Sequence, residues 1–341
     1  MEEKMSGFRP EVWVPSKELV SRESLSRMIE KLDGINAFRA YIQVVNRADS
    51  YYSSNMLPPA EELVQDFDAL QMTIEKACGR EFKISAWMNV NLVWGFGKQR
   101  PLSEKHVLNR RPEWITVDES GNSMLECSSS NLEEVFGPYI DPGIPDVREF
   151  TAQIASEISN YDVEEVHLDF IRYPFKSFGY NPLALAEYRK WLNREELIES
   201  KDTFVRFRIY SITRQVSMIS EVVRAKGKKL SCAVYDDYSE RAVSERLQPW
   251  IEWLKSGLID SAVVMAYGKE PDEVITRIEK IRSLHGSLKD IRIGLGAFNY
   301  TGRWDEFAEL IKRVQKLRPD EITLFALGSV DEELRKKLRA L

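Results

Sequence analysis

The chain has 341 residues, 43% of them hydrophobic and 30% charged, enough to bury a large core and too apolar for a disordered or collagen-like protein. Its 48 basic and 54 acidic residues are mixed along the chain and sum to −6, which offers no positive field for a phosphate backbone and argues against a nucleic-acid partner. No run approaches the ~18 consecutive apolar residues of a membrane span, and Cys78, Cys127 and Cys232 are too few and too scattered for a disulfide framework or a metal cluster.

Short apolar runs alternate with longer amphipathic stretches, the pattern of repeated βα units. Strands are expected at 9–14 (RPEVWV), 38–45 (FRAYIQVV), 82–90 (FKISAWMNV), 164–171 (EEVHLDFI), 229–235 (KLSCAVY), 259–266 (IDSAVVMA), 290–297 (DIRIGLGA) and 321–326 (EITLFA). Helices are expected at 22–33, 60–78, 145–160, 201–226, 243–256, 270–284, 303–317 and 330–340, with Ser21, Asp141-Pro142 and Thr301-Gly302 as start signals. Eight strands, each followed by a helix, predict an α/β fold: one (β/α)₈ TIM barrel over residues 1–341. An open doubly wound sheet is the weaker alternative, because VPSKELVSRES and not a Gly-rich phosphate loop follows the first strand. Two connections are too long for turns: 91–144, which carries Trp94, His106, Trp114 and Asp118, and 172–200, which holds a further helix. Both follow C-terminal strand ends, the face where barrel active sites are built.

Side chains alternate along a strand, so one parity packs under the helices and the other points into the barrel. The stretch VHLDFIRYPF places Val166, Leu168 and Phe170 on the apolar parity and Glu165, His167 and Asp169 on the inner one, with Asp169 nearest the mouth. The same rule directs Tyr41 and Gln43 inward from strand two, with Asn46 and Asp49 beyond, and Ser85, Trp87 and Asn89 from strand three, with Asn91 next on that parity. Strand five contributes Ser231, Ala233, Tyr235 and, if the strand reaches it, Asp237; strand six ends with Met265 and Tyr267, and strand one contributes Trp13. Barrel interiors are usually aliphatic. Aromatic rings stack on apolar sugar faces and amides and carboxylates bind hydroxyls, so this lining points to a carbohydrate.

VHLDFIRYPF followed by FGYNP at 178–182 resembles the strand-four signature of the bacterial glycosyl-hydrolase-like family ten. YIQVVNRADSYYSS (41–54), AWMNVN (86–91), HVLNRRPEW (106–114), YIDPGIPDVREF (139–150) and WLKSGLIDSAVVMAYG (253–268) agree in order, so the resemblance covers the whole chain. It implies a (β/α)₈ glycosidase, with some relatives acting on bacterial cell-wall glycan. Its signature carries to Asp169, whereas SCAVYDDYSE at strand five offers no residue-by-residue match.

Glycosidic cleavage generally needs two carboxyl groups. Asp169 is the first candidate; Asp237, which leads on parity, and Asp236 are candidates for the second, with Asp49, Asp118 and Glu270 as loop alternatives. Gln43, Asn89, Asn91, Trp87, Tyr235 and Tyr267 are expected to contact the sugar, with His167 one layer below Asp169 and Arg172 at the turn beyond it. No cofactor is expected and no metal, since the only other histidines are His106 and His285 and no HxH or HExxH spacing occurs. The expected activity is hydrolysis of O-glycosidic bonds in a polysaccharide or cell-wall glycan. The rivals are a carbohydrate-binding barrel that has lost one carboxylate and a metal-dependent amide or ester hydrolase. MEEKMSGFRP lacks the regions of a signal peptide, so the expectation is a cytoplasmic protein or an exported one whose signal has been removed. The sugar, linkage, stereochemical outcome and oligomeric state stay open.

Overall fold

The structure, a computed structural model, describes residues 7–64, 67–127 and 135–341. Eight parallel strands close into a barrel in chain order: β1 Glu11–Val14, β2 Arg39–Val45, β3 Lys83–Asn89, β4 Glu165–Asp169, β5 Lys229–Tyr235, β6 Ser261–Ala266, β7 Ile291–Gly296 and β8 Ile322–Phe325. Every expected strand is present. The helices are α1 Arg22–Gly34, α2 Ala69–Ala77, α3 Val107–Arg110, α4 Pro145–Ile158, α5 Pro182–Arg194, α6 Lys201–Ala225, α7 Trp250–Lys255, α8 Pro271–His285, α9 Trp304–Lys316 and α10 Glu332–Arg339. Outward-facing Val12, Val14, Ala40, Ile42, Val166 and Leu168 are fully buried beneath this helical ring.

Local chemistry sets most boundaries. Ser21 caps α1 in a capping box with Ser24, as its position before the first apolar residue implied. The helix expected at 60–78 starts only at Ala69, where Asp68 accepts the Gln71 N–H at 2.8 Å; residues 65–66 lie outside those described. The helix expected at 243–256 is two pieces, a π-helical turn over Tyr238–Glu245 and then α7, because Pro249 removes an N–H and disfavours helical geometry at the residue before it. Asp141 does not cap α4, which starts with Pro145 in its first turn; Asp141 instead accepts from Gly143 N–H and the Thr116 hydroxyl. Thr301 does not cap α9 either.

Inside the barrel the inner parity holds a buried ion network. Arg292 donates to both carboxylate oxygens of Glu165, at 3.0 Å each, while Arg39 Nε donates to Glu11 at 2.9 Å. Tyr41 and Thr323 hydroxyls satisfy Glu11, and Ser85 and Ser231 satisfy Glu165. Two cations thus meet two carboxylates with their lone pairs filled, the condition under which buried charge is tolerated. The layer above is His167, whose Nε2 accepts the Trp13 indole N–H at 3.0 Å and whose Nδ1 lies 2.8 Å from Ser231 Oγ. That pattern selects the neutral Nδ1–H tautomer. Burial agrees, holding the His167 pKa down to about 3.

Burial alone would raise the Glu165 carboxyl, but Arg292 and Arg39 outweigh it and hold its pKa at about 2. A lowered histidine and a lowered carboxylate both lose stability as the medium acidifies. Global stability is expected to fall as pH drops below about 6.5, the ordinary value for His167, and further from about 4.5 toward 2 as Glu165 protonates. Urea unfolding across pH measures this. Glu165→Gln, which strands Arg292 in the interior, is expected to cost about 3–5 kcal/mol at neutral pH and to remove the lower limb.

Candidate active site

The C-terminal mouth of the barrel opens into a cavity of about 690 Å³. Its floor is aromatic: Trp13 and Trp87 from β1 and β3, with Phe325 from the end of β8, whose ring lies 5.7 Å from Trp13. Gly294 on β7 makes room for this layer, because a Cβ there would lie 2.6 Å from the Trp13 ring. One wall is Tyr235, Tyr267 and half-exposed Phe298; the opposite wall is Leu92, Trp94, Phe96, exposed Phe136 and Phe170.

Asp169 closes β4 at the centre of this mouth. Its Oδ1 accepts the Phe170 N–H at 2.6 Å and Arg172 Nη1 at 3.2 Å. Oδ2 is left for the cavity. The first of these bonds accompanies a left-handed backbone at Phe170, φ 53°, an arrangement costing on the order of 1 kcal/mol in a residue with a Cβ. This is why the strand stops at Asp169 and not at 171, and why Phe170, expected on the outward parity, faces the cleft. Arg172 also stacks over Phe170 and Tyr235, with its guanidinium 4.4 and 4.9 Å from the ring centres. Burial pushes the Asp169 carboxyl above its ordinary range, with Arg172 and the Phe170 N–H pulling in the opposite direction.

The expected amides form a second bonded set. Trp87 Nε1 donates to Asn89 Oδ1 at 3.0 Å, Asn89 Nδ2 donates to the Asn46 carbonyl at 2.8 Å, and Gln43 accepts the Ser16 N–H at 3.0 Å. Asn89 pairs in register with Asp169 across β3 and β4, so amide and acid are neighbours by strand geometry.

Gln43, Trp87, Asn89, Asp169, Arg172, Tyr235 and Tyr267 all line the cavity, as inner parity implied. Four residues do not. Asn91 is fully buried against α6, exchanging bonds with Gln215 at 2.9 and 3.2 Å, because β3 ends at Asn89 and parity no longer governs beyond it. His167 lies one layer below the floor, bonded to Trp13, and cannot touch a ligand directly. Asp237 is turned out of the cleft because β5 ends at Tyr235; it caps the π-helical turn and pairs with Lys280. Asp236, just past the end of β5, is buried and does not line the cavity either; its carboxylate lies 2.8 Å from Arg277, which does. Tyr267 lies within electrostatic reach of both Asp169 and Asp236, and burial together with Asp169 drives its phenol well above the ordinary range.

Among the loop acids, Asp49 is buried beneath Arg47, whose N–H it accepts, Asp118 closes its own turn on Ser120 and Asn122, and Glu270 is an exposed residue ahead of α8. No group of three or more His, Cys, Asp or Glu able to hold a metal occurs among the described residues. Residue pattern missed several lining groups. Phe325 obeys the same inner parity as Thr323 and could have been found that way; Arg47, Lys98 and Arg277 come from loops and a helix, where no strand periodicity marks them.

The Glycosyl hydrolase-like 10 family model matches residues 11–294, which contain strands β1 to β6 whole, most of β7 and the whole Asp169 turn. The chain belongs to the Glycosyl hydrolase-like 10 family. A curated relative, "Glycosyl hydrolase YngK" of Bacillus subtilis (strain 168), is 26% identical over 229 residues, or 62% of this chain; the match spans 40% of that relative's length. Among solved structures, the PgaB (BpsB) glycoside hydrolase domain from Bordetella bronchiseptica superposes with a TM-score of 0.68 at 12% identity, covering 97% of this chain and 98% of that one. Alpha-L-fucosidase isoenzyme 2 from Paenibacillus thiaminolyticus gives 0.66 at 13% identity, covering 97% of this chain and 48% of that one. The family and these barrels place the chain among glycoside-hydrolase-like proteins.

Because Arg172 restrains the rise of the Asp169 pKa, Arg172→Gln is expected to move that pKa further up. A carboxyl-resolved NMR titration of the Asp169 side chain reads the shift, and an unchanged midpoint would mean that the guanidinium exerts no electrostatic hold.

Proposed function

We propose that this protein is a glycosidase that hydrolyses O-glycosidic bonds in a polysaccharide or cell-wall glycan, with Asp169 as the proton donor to the leaving oxygen. The observation carrying this reading is the placement of Asp169. It lines an aromatic-walled cavity at the C-terminal end of a barrel strand, with Oδ1 anchored, no hydrogen bond to Oδ2 among the described residues, and a carboxyl that burial raises above its ordinary range. Tyr235, Tyr267 and Trp87 supply stacking faces and Gln43 and Asn89 supply amides for sugar hydroxyls.

Asp236 is the proposed second carboxyl. Both it and Asp169 lie within electrostatic reach of Tyr267, and its partner Arg277 is partly exposed and lines the cavity. In this arrangement Asp236 stays paired with Arg277 while burial raises the Asp169 carboxyl, and the reading assigns Asp169 the acid's part and Asp236 that of the second carboxylate.

A second reading keeps a specific observation. Among the described residues Asp169 is the one carboxylate lining the cavity, which fits a barrel that binds glycan without cleaving it. Reducing-end release from a panel of glycans that includes peptide-free peptidoglycan strands separates the two. Asp169→Asn, isosteric and folded by circular dichroism, is expected to lower the rate at least about 10²-fold, and Asp236→Asn to lower it by a similar order. Binding by the wild type without release, matched by the Asp169→Asn variant, would sink the hydrolase reading in favour of the binding barrel.

A further inference from the structure

The charged residues lining the cavity are strongly biased in sign. Arg47, Lys98, Arg172 and Arg277 line it, with Asp169 the one lining carboxylate among the described residues, in a chain whose formal charge is −6. A cleft lined by one sign of charge on an oppositely charged protein concentrates ligands of the opposite sign. Two of these cations are engaged with the proposed acids: Arg172 bonds Asp169 and Arg277 bonds Asp236. Arg47 and Lys98 are not.

Arg47 and Lys98 meet from different loops. Both reach Glu62, at 3.3 and 3.4 Å, so one half-exposed carboxylate is shared by two cations. Asp49 lies behind them, buried, its Oδ1 accepting the Arg47 N–H at 3.0 Å, and it does not line the cavity. The pair is also braced. His106 Nε2 lies 2.7 Å from the Arg47 carbonyl while its Nδ1 accepts the Leu108 N–H, so the ring carries its proton toward Arg47. The same ring packs edge-on against Trp94, with centres 5.1 Å apart, and the Lys98 ammonium lies 5.7 Å from the Trp94 ring. A stacking face and two cations are therefore held in one rigid unit at the cavity edge.

Its distance from the chemistry follows from the sheet. Asn46, next to Arg47, holds Asn89 through its carbonyl, and Asn89 pairs in register with Asp169. Arg47 leaves β2 and Asp169 ends β4, two strand spacings or roughly 10 Å apart, the span of about two sugar units.

We propose that the substrate is an acidic glycan, and that Arg47 and Lys98 bind the carboxylate of a sugar seated on Trp94, within about two units of the scissile bond. This deepens the glycosidase reading and rests on the same cavity. Arginine presents a planar fork that matches a carboxylate, and lysine adds a second charge without geometric demand.

The test uses the full chain and matched probes: polygalacturonate, hyaluronan and peptide-free peptidoglycan strands, each beside its carboxyl-reduced form. Affinity gel electrophoresis and calorimetry measure binding, and reducing-end assays measure cleavage. The wild type is expected to bind at least one acidic form about tenfold or more tightly than its reduced counterpart, with the preference fading as salt is raised. Arg47→Ala/Lys98→Ala should abolish the preference while leaving affinity for the reduced form unchanged. Lys98→Gln, a milder change in an exposed loop side chain, should lower it partway. Equal affinity for acidic and reduced forms, no binding to any acidic probe, or an undiminished preference in the folded double variant would each overturn the proposal. Preference without cleavage leaves the acidic subsite standing and removes the hydrolase reading; cleavage without preference does the reverse.

Discussion

The buried pairing of Glu165 with Arg292, and of Glu11 with Arg39, is the constraint on which the mouth of the barrel depends. Four formal charges in the interior require that every oxygen and most guanidinium protons find partners, and the hydroxyls of Tyr41, Ser85, Ser231 and Thr323 supply them from four different strands. Such a network contributes less to net stability than aliphatic packing would, because desolvation offsets most of the attraction. Its effect is positional. A slip of one residue in β1, β2, β4 or β7 would carry a charge to the helix-facing side, so the network fixes the register of those strands.

That register is passed upward through one histidine. Ser231 joins Glu165 to His167, His167 accepts the Trp13 indole, and Trp13 forms the cavity floor with Gly294 cleared beneath its ring. Asp169 lies one inner position above His167 on the same strand. The acid is thus carried on a strand whose two lower inner residues are locked on both sides, and its own carboxylate is fixed by the following N–H and by Arg172. A carboxyl held this way reorganises little when a ligand arrives, which is what electrostatic preorganisation requires.

The barrel itself hosts many chemistries, and similarity at 12–13% identity to solved glycoside hydrolases establishes architecture alone. The family match and the character of the cavity narrow the field. Aromatic walls, bonded amides and a raised carboxyl suit a sugar polymer, and the bias toward lining cations adds a sign to it. Of these cations Lys98 lies in the long connection after β3 and Arg47 in the loop after β2, and loops vary more freely than the strands that carry them.

Sequence by itself determined the strands, their order and the identity of the inner parity. Period-two alternation in EEVHLDFI marks a strand, and the polar residues on its minor face have nowhere to go but the barrel centre, which is why Asp169, Asn89, Gln43, Trp87 and Tyr235 were all legible. Alternation stops informing where the strand stops. Asn91 lies two residues past the inward Asn89 yet packs against α6, and Asp237 turns to cap a helix, because the backbone had already left the sheet in both cases. Only the tertiary structure decided that Phe170 adopts a left-handed conformation and swings into the cleft, and that Asp236 is screened by Arg277 from a helix 41 residues on. It also decided that Arg47 and Lys98 converge from two loops. These are encounters between groups far apart in the chain, set by the curvature of a closed sheet and by loop paths, and no local pattern of residues encodes them.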